Sequence, residues 1–192
     1  RTLAMVCALL WAWSIFCWSW NCTYYATGFA ARNGLSKAPY SPEQLVEATV
    51  YFAWSAAQLS DDVPRNEDLS FALSTGECFK RGVFVYDNLS GQFSDLALSH
   101  RQAKPLVCSR FQSILGYTGI YFPFTGEANV NVDQVTCLVP ATIAHEMAHQ
   151  RGINKEAEAN FIAYLVCSLS DDPYIRYAGA LDVLNSVMNN LY

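Results

Sequence analysis

His145, Glu146 and His149 form a His-Glu-x-x-His motif in a segment that is predicted to be helical. Residues four positions apart lie on one face of a helix, so the two histidines can direct their imidazoles at a single metal ion. The carboxylate of Glu146 can then accept a proton from a water bound to that metal. This is the chemistry of a zinc-dependent peptidase, in which the metal acidifies water and a glutamate acts as general base. The motif predicts one Zn²⁺ ion as cofactor.

The third metal ligand is expected to be a carboxylate, because the remaining histidine of the chain, His100, lies upstream without ligand spacing. Glu156 and Glu158 are the nearest candidates, at the start of a second predicted helix. We prefer Glu156 because Asn160 follows it by four residues on the same helical face, where an amide can orient a ligand histidine. Glu158 remains the alternative. The more distant carboxylates are Asp171, Asp172 and Asp182.

The flanking sequence favours a buried metal site over a solvated polar face. Pro140 suits the first turn of the motif helix, and Gly152 is a natural helix stop three residues after His149. Ile143 and Met147 make the surroundings of the histidines apolar, and buried imidazoles need partners.

Other helices are predicted from their start signals. Ser41-Pro42-Glu43-Gln44 predicts the start of a helix that runs to about Leu59, and Asp172-Pro173 predicts a last helix through Leu191. The buried stripe of the first of these helices is expected to contain Leu45, Val46, Thr49, Val50, Ala53, Trp54 and Ala57.

The N-terminal segment is predicted to be a transmembrane anchor over residues 1–24, followed by a single domain over residues 25–192. No charged residue occurs from Thr2 to Ala31, and the eighteen residues from Leu3 to Trp20 are almost wholly apolar. At about 1.5 Å per residue they approach the thickness of the hydrocarbon core. A buried core helix and a signal peptide are the alternatives. Arg1 before the segment mildly favours a domain on the extracytoplasmic side.

Charge excludes one class of partner. The net charge is −5, and the 12 lysines and arginines are scattered without a cluster. Nucleic acid is therefore not expected to be a partner. The four cysteines of the domain permit disulfides outside the cell or free thiols inside it: Cys78, Cys108, Cys137 and Cys167.

Three segments in order, residues 119–131, 145–153 and 156–165, resemble the bacterial membrane-protein family called domain of unknown function 3810. The resemblance implies a membrane-anchored, gluzincin-like zinc metallopeptidase of the bacterial cell membrane, without an assigned substrate. In gluzincins a Glu-x-x-x-Asp pair supplies a zinc ligand and a residue that orients a ligand histidine. Here Glu156 and Asn160 occupy these places, with Asn in place of Asp.

The same resemblance gives a role to residues 117–132, which are predicted to form an edge strand or hairpin because they are aromatic and β-branched around Pro123. Such a strand pairs with the substrate backbone in zincins, and this implies that Glu127, Ala128, Asn129 and Asn131 line the cleft. A structural hairpin whose polar residues cap turns is the equal alternative. Candidates for oxyanion stabilisation are Tyr164, Tyr174, Arg176 and Tyr177, with Tyr177 and Arg176 favoured.

Together these features predict a mainly α (α+β) chain, with a transmembrane helix followed by a zincin-like helical domain that contains a small hairpin. The expected function is hydrolysis of a peptide or protein substrate by a membrane-anchored zinc metallopeptidase. The alternative is a non-catalytic membrane scaffold or sensor with a structural zinc site.

Overall fold

The structure is a computed structural model that describes residues 1–97 and 101–191. His100, which the sequence analysis set aside as a ligand, lies outside the described residues. The chain divides into two compact units, Arg1–Ser36 and Lys37–Tyr192. The predicted anchor, residues 1–24, falls within the first unit.

The first unit contains helix α1 (Thr2–Tyr25) and the single turn α2 (Phe29–Arg32). None of the α1 side chains is buried, and its most apolar window has a mean hydropathy of 1.7. Its 24 residues correspond to a length of about 36 Å, which exceeds the roughly 30 Å of a hydrocarbon core. Among the described helices, α1 is the one that is long and apolar enough to cross a membrane.

The second unit is mainly helical, as predicted. Its helices are α3 (Pro42–Asp61), α4 (Thr75–Gly82), α5 (Asp87–Ser90), α6 (Ser109–Ile114), α7 (Val139–Gln150), α8 (Glu156–Ser168) and α9 (Pro173–Asn189). The motif helix α7 is central: it packs against α4, α8, α9 and the sheet, while α3 packs on α9. Nearly all of α7 is buried, so its polar side chains lie inside the domain.

A small sheet covers one side of α7. Its strands are β1 (Lys104–Pro105), β2 (Gly119–Phe122) and β3 (Glu127–Val130), in the order β1-β3-β2. β2 and β3 form the predicted hairpin, with Gly119 opposite Val130, and β1 runs parallel to β3. β3 is therefore the central strand, and β1 and β2 form the two edges of this sheet.

The predicted buried stripe of α3 was wrong in most positions. Leu45 and Thr49 are partly buried, but the fractional exposures of Val46, Val50 and Trp54 are 51%, 64% and 58%. Ala53 and Ala57 are also exposed. The residues that face the domain include Ala48, Phe52, Ser55, Ala56 and Leu59. Apolar residues occur around most of the circumference of α3, so spacing alone could not select the face that packs on α9.

The predicted helix starts are confirmed. Ser41 and Gln44 form a capping box at the start of α3, in which each side chain bonds the backbone N–H of the other residue. Asp172 caps α9 by accepting a hydrogen bond from the Tyr174 N–H at 2.9 Å, and its other oxygen pairs with Arg81 at 2.6 Å. This cap fixes the entry of α9, which packs against both α7 and α8.

We expect Asp172→Ala to lower the free energy of unfolding by about 1–2 kcal/mol, because it removes a helix cap and a partly buried ion pair. The measurement is thermal unfolding of the purified chain, with Asp171→Ala as the matched control because Asp171 is exposed and does not cap the helix. Equal melting temperatures for the two variants would contradict this assignment.

Candidate metal and hydrolase site

The motif helix α7 is held in place by a buried tyrosine and an arginine. The Tyr86 hydroxyl donates to the carbonyl of Ala144 at 2.8 Å. The Arg151 guanidinium lies 3.7 Å from the centroid of the Tyr86 ring and donates to the carbonyls of Leu96 and Met147. These contacts fix the register of α7 on both sides of Glu146.

The end of α7 sets the orientation of His149. Gly152 has a φ of 80°, a left-handed conformation that glycine adopts without a Cβ clash. The Gly152 N–H bonds the His149 carbonyl at 2.9 Å, and the Ile153 N–H bonds the Ala148 carbonyl at 3.2 Å. These two bonds form a Schellman motif. The turn places the Ile153 carbonyl 2.7 Å from Nδ1 of His149.

This last contact determines the tautomer of His149. A carbonyl can only accept a hydrogen bond, so Nδ1 of His149 carries a proton, and in the neutral imidazole Nε2 is then the nitrogen with the lone pair. That is the arrangement of a metal-ligating histidine, whose second ring nitrogen donates to a carbonyl or carboxylate. The residue that provides the carbonyl, Ile153, was not identified from the sequence. The sequence signal for this contact was Gly152, because the turn at this glycine brings the backbone of Ile153 back towards α7.

Three ligand atoms converge beside α7. Nε2 of His145 lies 3.1 Å from Nε2 of His149 and 3.2 Å from Oε2 of Glu156. Nε2 of His149 lies 3.5 Å from Oε1 of Glu156. Ligands at about 2.0–2.1 Å from a zinc ion in tetrahedral geometry are separated by about 3.3–3.4 Å. The three pairwise contacts are close to that separation, but the two contacts of Glu156 involve different oxygens of its carboxylate. One ligand atom from each of the three residues lies within 4.8 Å of the others.

The protonation state of His145 also suits a metal ligand. Burial lowers the pKa of His145, and the neighbouring His149 lowers it further, whereas Glu156 and Asn160 act in the opposite direction. A neutral imidazole is the form that binds metal. Asn160 is exposed and lies near enough to His145 to act on its pKa. Its role in orienting His145 stays a prediction.

The structure places one of the candidate carboxylates beside the two histidines. Glu156 groups with the two histidines, whereas Glu158 is buried, with 6% of its surface exposed, and is not in this group. Asp172 is engaged at the start of α9. Asp171 and Asp182 likewise lie outside the group. Within the described residues, the cluster thus contains two histidines and one carboxylate.

Glu146 is a buried carboxylate without a direct partner on one oxygen. It is 4% exposed, and its Oε2 has no hydrogen bond to any described residue. Burial, followed by the charge of Glu156, raises the pKa of Glu146 to about 8. An unpaired buried carboxyl group is costly and is typical of functional sites.

The edge strand β2 passes directly over this carboxylate. A Cβ atom at Gly119 would lie 2.6 and 2.7 Å from Cγ and Cδ of Glu146, closer than real Cβ contacts. Only glycine therefore fits at position 119 without displacing Glu146. The sequence analysis missed this contact, although a glycine inside a predicted strand is a recognised sign of a close backbone approach.

The residues predicted to line a substrate cleft have different surroundings. Asn131 is 2% exposed, and its amide donates to Ser113 and to the carbonyl of Tyr117, both at 2.9 Å. Its side chain therefore stabilises the loops beside the hairpin, and its expected place in a substrate cleft stays a prediction. Ala128 is also fully buried.

Glu127 and Asn129 lie on the central strand and not on the edge of the sheet. Glu127 pairs with Lys104 and accepts a hydrogen bond from Thr125 at 2.9 Å, and the ion pair with Lys104 is the main cause of its lowered pKa. The Asn129 amide donates to the carbonyl of Glu127 at 3.1 Å. The strand that lies closest to Glu146 is β2, through Gly119. The substrate-pairing role expected of residues 117–132 stays a prediction.

The candidates for oxyanion stabilisation are mostly used in packing. Arg65 lies over the ring of Tyr177, and Arg176 donates to the Ser170 carbonyl at 2.9 Å. Tyr174 is buried against Phe71. Packing and hydrogen bonding therefore explain the positions of the favoured pair, Tyr177 and Arg176, without a catalytic role.

The sequence was compared with known families, curated proteins and solved structures. The sequence model of the family described as "Protein of unknown function (DUF3810)" matches residues 1–192. No curated protein and no solved structure matches the chain. The three segments that carried the resemblance all lie within this match, and the chain belongs to the DUF3810 family.

Proposed function

We propose that this chain is a membrane-anchored, zinc-dependent hydrolase of the peptidase class. One zinc ion would be held by His145, His149 and Glu156, with Glu146 as general base. The observation that carries the proposal is the convergence of ligand atoms from three residues, in pairwise contacts of 3.1–3.5 Å, beside a buried carboxylate with an unpaired oxygen. A polar helix face without a function rarely combines a cluster of partly buried histidines with a buried unpaired carboxylate, because burying polar groups without partners costs free energy.

The chemistry follows from the residue types. A zinc ion bound there would polarise the substrate carbonyl and lower the pKa of water. Glu146 would take the proton of the attacking water as the oxygen adds to the carbonyl carbon, and would return it to the leaving nitrogen as the C–N bond breaks.

The number of donors argues against the alternative of a structural zinc in a scaffold or sensor. Structural zinc sites have four protein ligands, whereas catalytic sites have three and an open position. Three residues converge within the described parts of the chain. Glu156 is also the most exposed of the three, with 69% of its side chain accessible, so solvent and substrate can approach from its side.

The proposed location is the bacterial cell membrane, with the domain on the extracytoplasmic side. α1 would provide the anchor, and Arg1 would lie on the cytoplasmic side according to the positive-inside rule. Peptides or proteins at the membrane surface would then be the substrates.

Glu146→Gln should retain zinc and lower hydrolysis at least 100-fold, because the variant keeps the ligands but lacks the base. His149→Ala should lose both zinc and hydrolysis. The measurement is the cleavage rate of a pool of internally quenched peptides by the detergent-purified chain, together with its zinc content. Hydrolysis by Glu146→Gln at the wild-type rate would contradict the role of Glu146.

Gly119→Ala should also retain zinc and lower hydrolysis at least tenfold, because the added methyl group would displace the Glu146 carboxylate. Gly91→Ala is the matched control, since a Cβ at Gly91 meets nothing within 4 Å. Thermal unfolding of both variants separates displacement of the base from loss of the fold. A wild-type rate for Gly119→Ala would show that the carboxylate is not positioned by this contact.

A further inference from the structure

The strand β2 has β3 on one side and no described strand on the other. Just before β2, the Thr118 carbonyl accepts a hydrogen bond from the Asn131 N–H at 2.9 Å, so the backbone of Thr118 is directed at the β3 side. Backbone groups alternate in direction along a strand, and those of Gly119 and Tyr121 are therefore directed away from β3. We call this side of the strand the β2 edge.

The two faces of β2 differ in chemistry. Gly119 lies on the face towards α7, and Ile120 and Phe122 lie on the opposite, solvent face, where they are 43% and 44% exposed. On β3 the residues opposite these two are Asn129 and Glu127. The solvent face of β2 is therefore apolar, and its neighbours across β3 are polar.

The β2 edge adjoins the candidate hydrolase site. A Cβ at Gly119 would lie 2.6 Å from Cγ of Glu146, so β2 touches the proposed base at this residue. Adjacent strands in a sheet are about 4.8 Å apart. A strand added to the β2 edge would thus lie one strand spacing from the backbone that contacts Glu146.

The sequence of β2 does not protect this edge. Proteins commonly place charged side chains on edge strands to prevent pairing with other chains. The four residues of β2 are Gly, Ile, Tyr and Phe, and none is charged. The β2 edge is therefore suited to accept an additional strand.

We propose that the β2 edge binds an extended substrate segment with apolar side chains at alternate positions, which pack beside Ile120 and Phe122. The side chains between them would face the candidate zinc site. This inference deepens the proposed function and rests on it for the word substrate. The binding of an extended segment does not require hydrolysis, so the two can be tested separately.

The preference for apolar side chains follows from cross-strand packing. A residue on the added strand would be the neighbour of Ile120 or Phe122 on the solvent face, where side chains of adjacent strands lie about 5 Å apart. An apolar side chain there would cover the exposed surface of Ile120 and Phe122. A polar side chain would lose contact with water without gaining a hydrogen bond from either residue.

The probes are two acetylated peptides, (Ser-Val)₃ and (Ser-Thr)₃, each with two C-terminal lysines for solubility and a fluorescein label. Valine and threonine have similar shapes and are both β-branched, so the probes differ mainly in apolar surface. Binding is measured by fluorescence polarisation with the full chain in detergent, in the Glu146→Gln background to prevent cleavage. We expect the valine peptide to bind at least fivefold more tightly, because two or more cross-strand pairs contribute.

The double substitution Ile120→Thr with Phe122→Thr should abolish this preference. Val46→Thr with Val50→Thr is the matched control and should keep it, because these valines are 51% and 64% exposed on α3, outside the sheet. Thermal unfolding checks that both double variants are folded. If the substitutions in β2 unfold the domain, Ile120→Thr alone should at least halve the preference.

A second experiment tests strand pairing itself. The valine peptide is N-methylated either at its three valines or at its three serines. A strand directs the N–H groups of alternate residues at one neighbour, so one of these two peptides should lose binding and the other should keep it. Equal binding of both methylated peptides would overturn the assignment of the β2 edge.

The outcomes separate this inference from the proposed function. Equal binding of the valine and threonine peptides, or a preference that survives the substitutions in β2, would overturn the inference. A preference that depends on Ile120 and Phe122 would support it even if no peptide is cleaved, and that absence of cleavage would count against the hydrolase proposal. Cleavage of quenched peptides without preference for alternating apolar residues would support hydrolysis and overturn the specificity assigned to β2.

Discussion

The hydrogen bond from Nδ1 of His149 to the Ile153 carbonyl is the contact on which the rest of the site depends. It forms because the Schellman turn at Gly152 reverses the chain immediately after α7. The same turn starts α8 beside α7 and brings Glu156 to the two histidines. The same backbone reversal therefore orients the ring of His149 and places Glu156 next to the two histidines.

The domain also contains an element that is unfavourable for stability. Glu146 is buried with one oxygen unpaired, in a space kept open by the absence of a side chain at Gly119. A buried carboxyl group with an unpaired oxygen lowers the free energy of unfolding. Tyr86 and Arg151 hold α7 rigidly around it. Rigid support around an unfavourable group is what a preorganised catalytic site requires.

Local signals predicted the helices and the identities of the clustered residues. Capping residues and the glycine stop gave the bounds of α3, α7 and α9, and the predicted group of His145, His149 and Glu156 is the one that converges in the structure. Features that depend on tertiary packing were not predictable. The apolar circumference of α3 gave no preferred face. The order of the strands could not be read from the hairpin pattern, because the pairing of β1 with β3, which makes β3 the central strand, joins distant parts of the sequence.

The most direct test of the central claim is the metal content of the detergent-purified chain. Wild type is compared with Glu156→Ala and with Glu158→Ala, a matched substitution two residues away on the same helix. The account predicts one zinc per chain in the wild type and in Glu158→Ala, and its loss in Glu156→Ala. Absence of zinc from every sample after zinc is supplied, or its loss only in Glu158→Ala, would contradict the account.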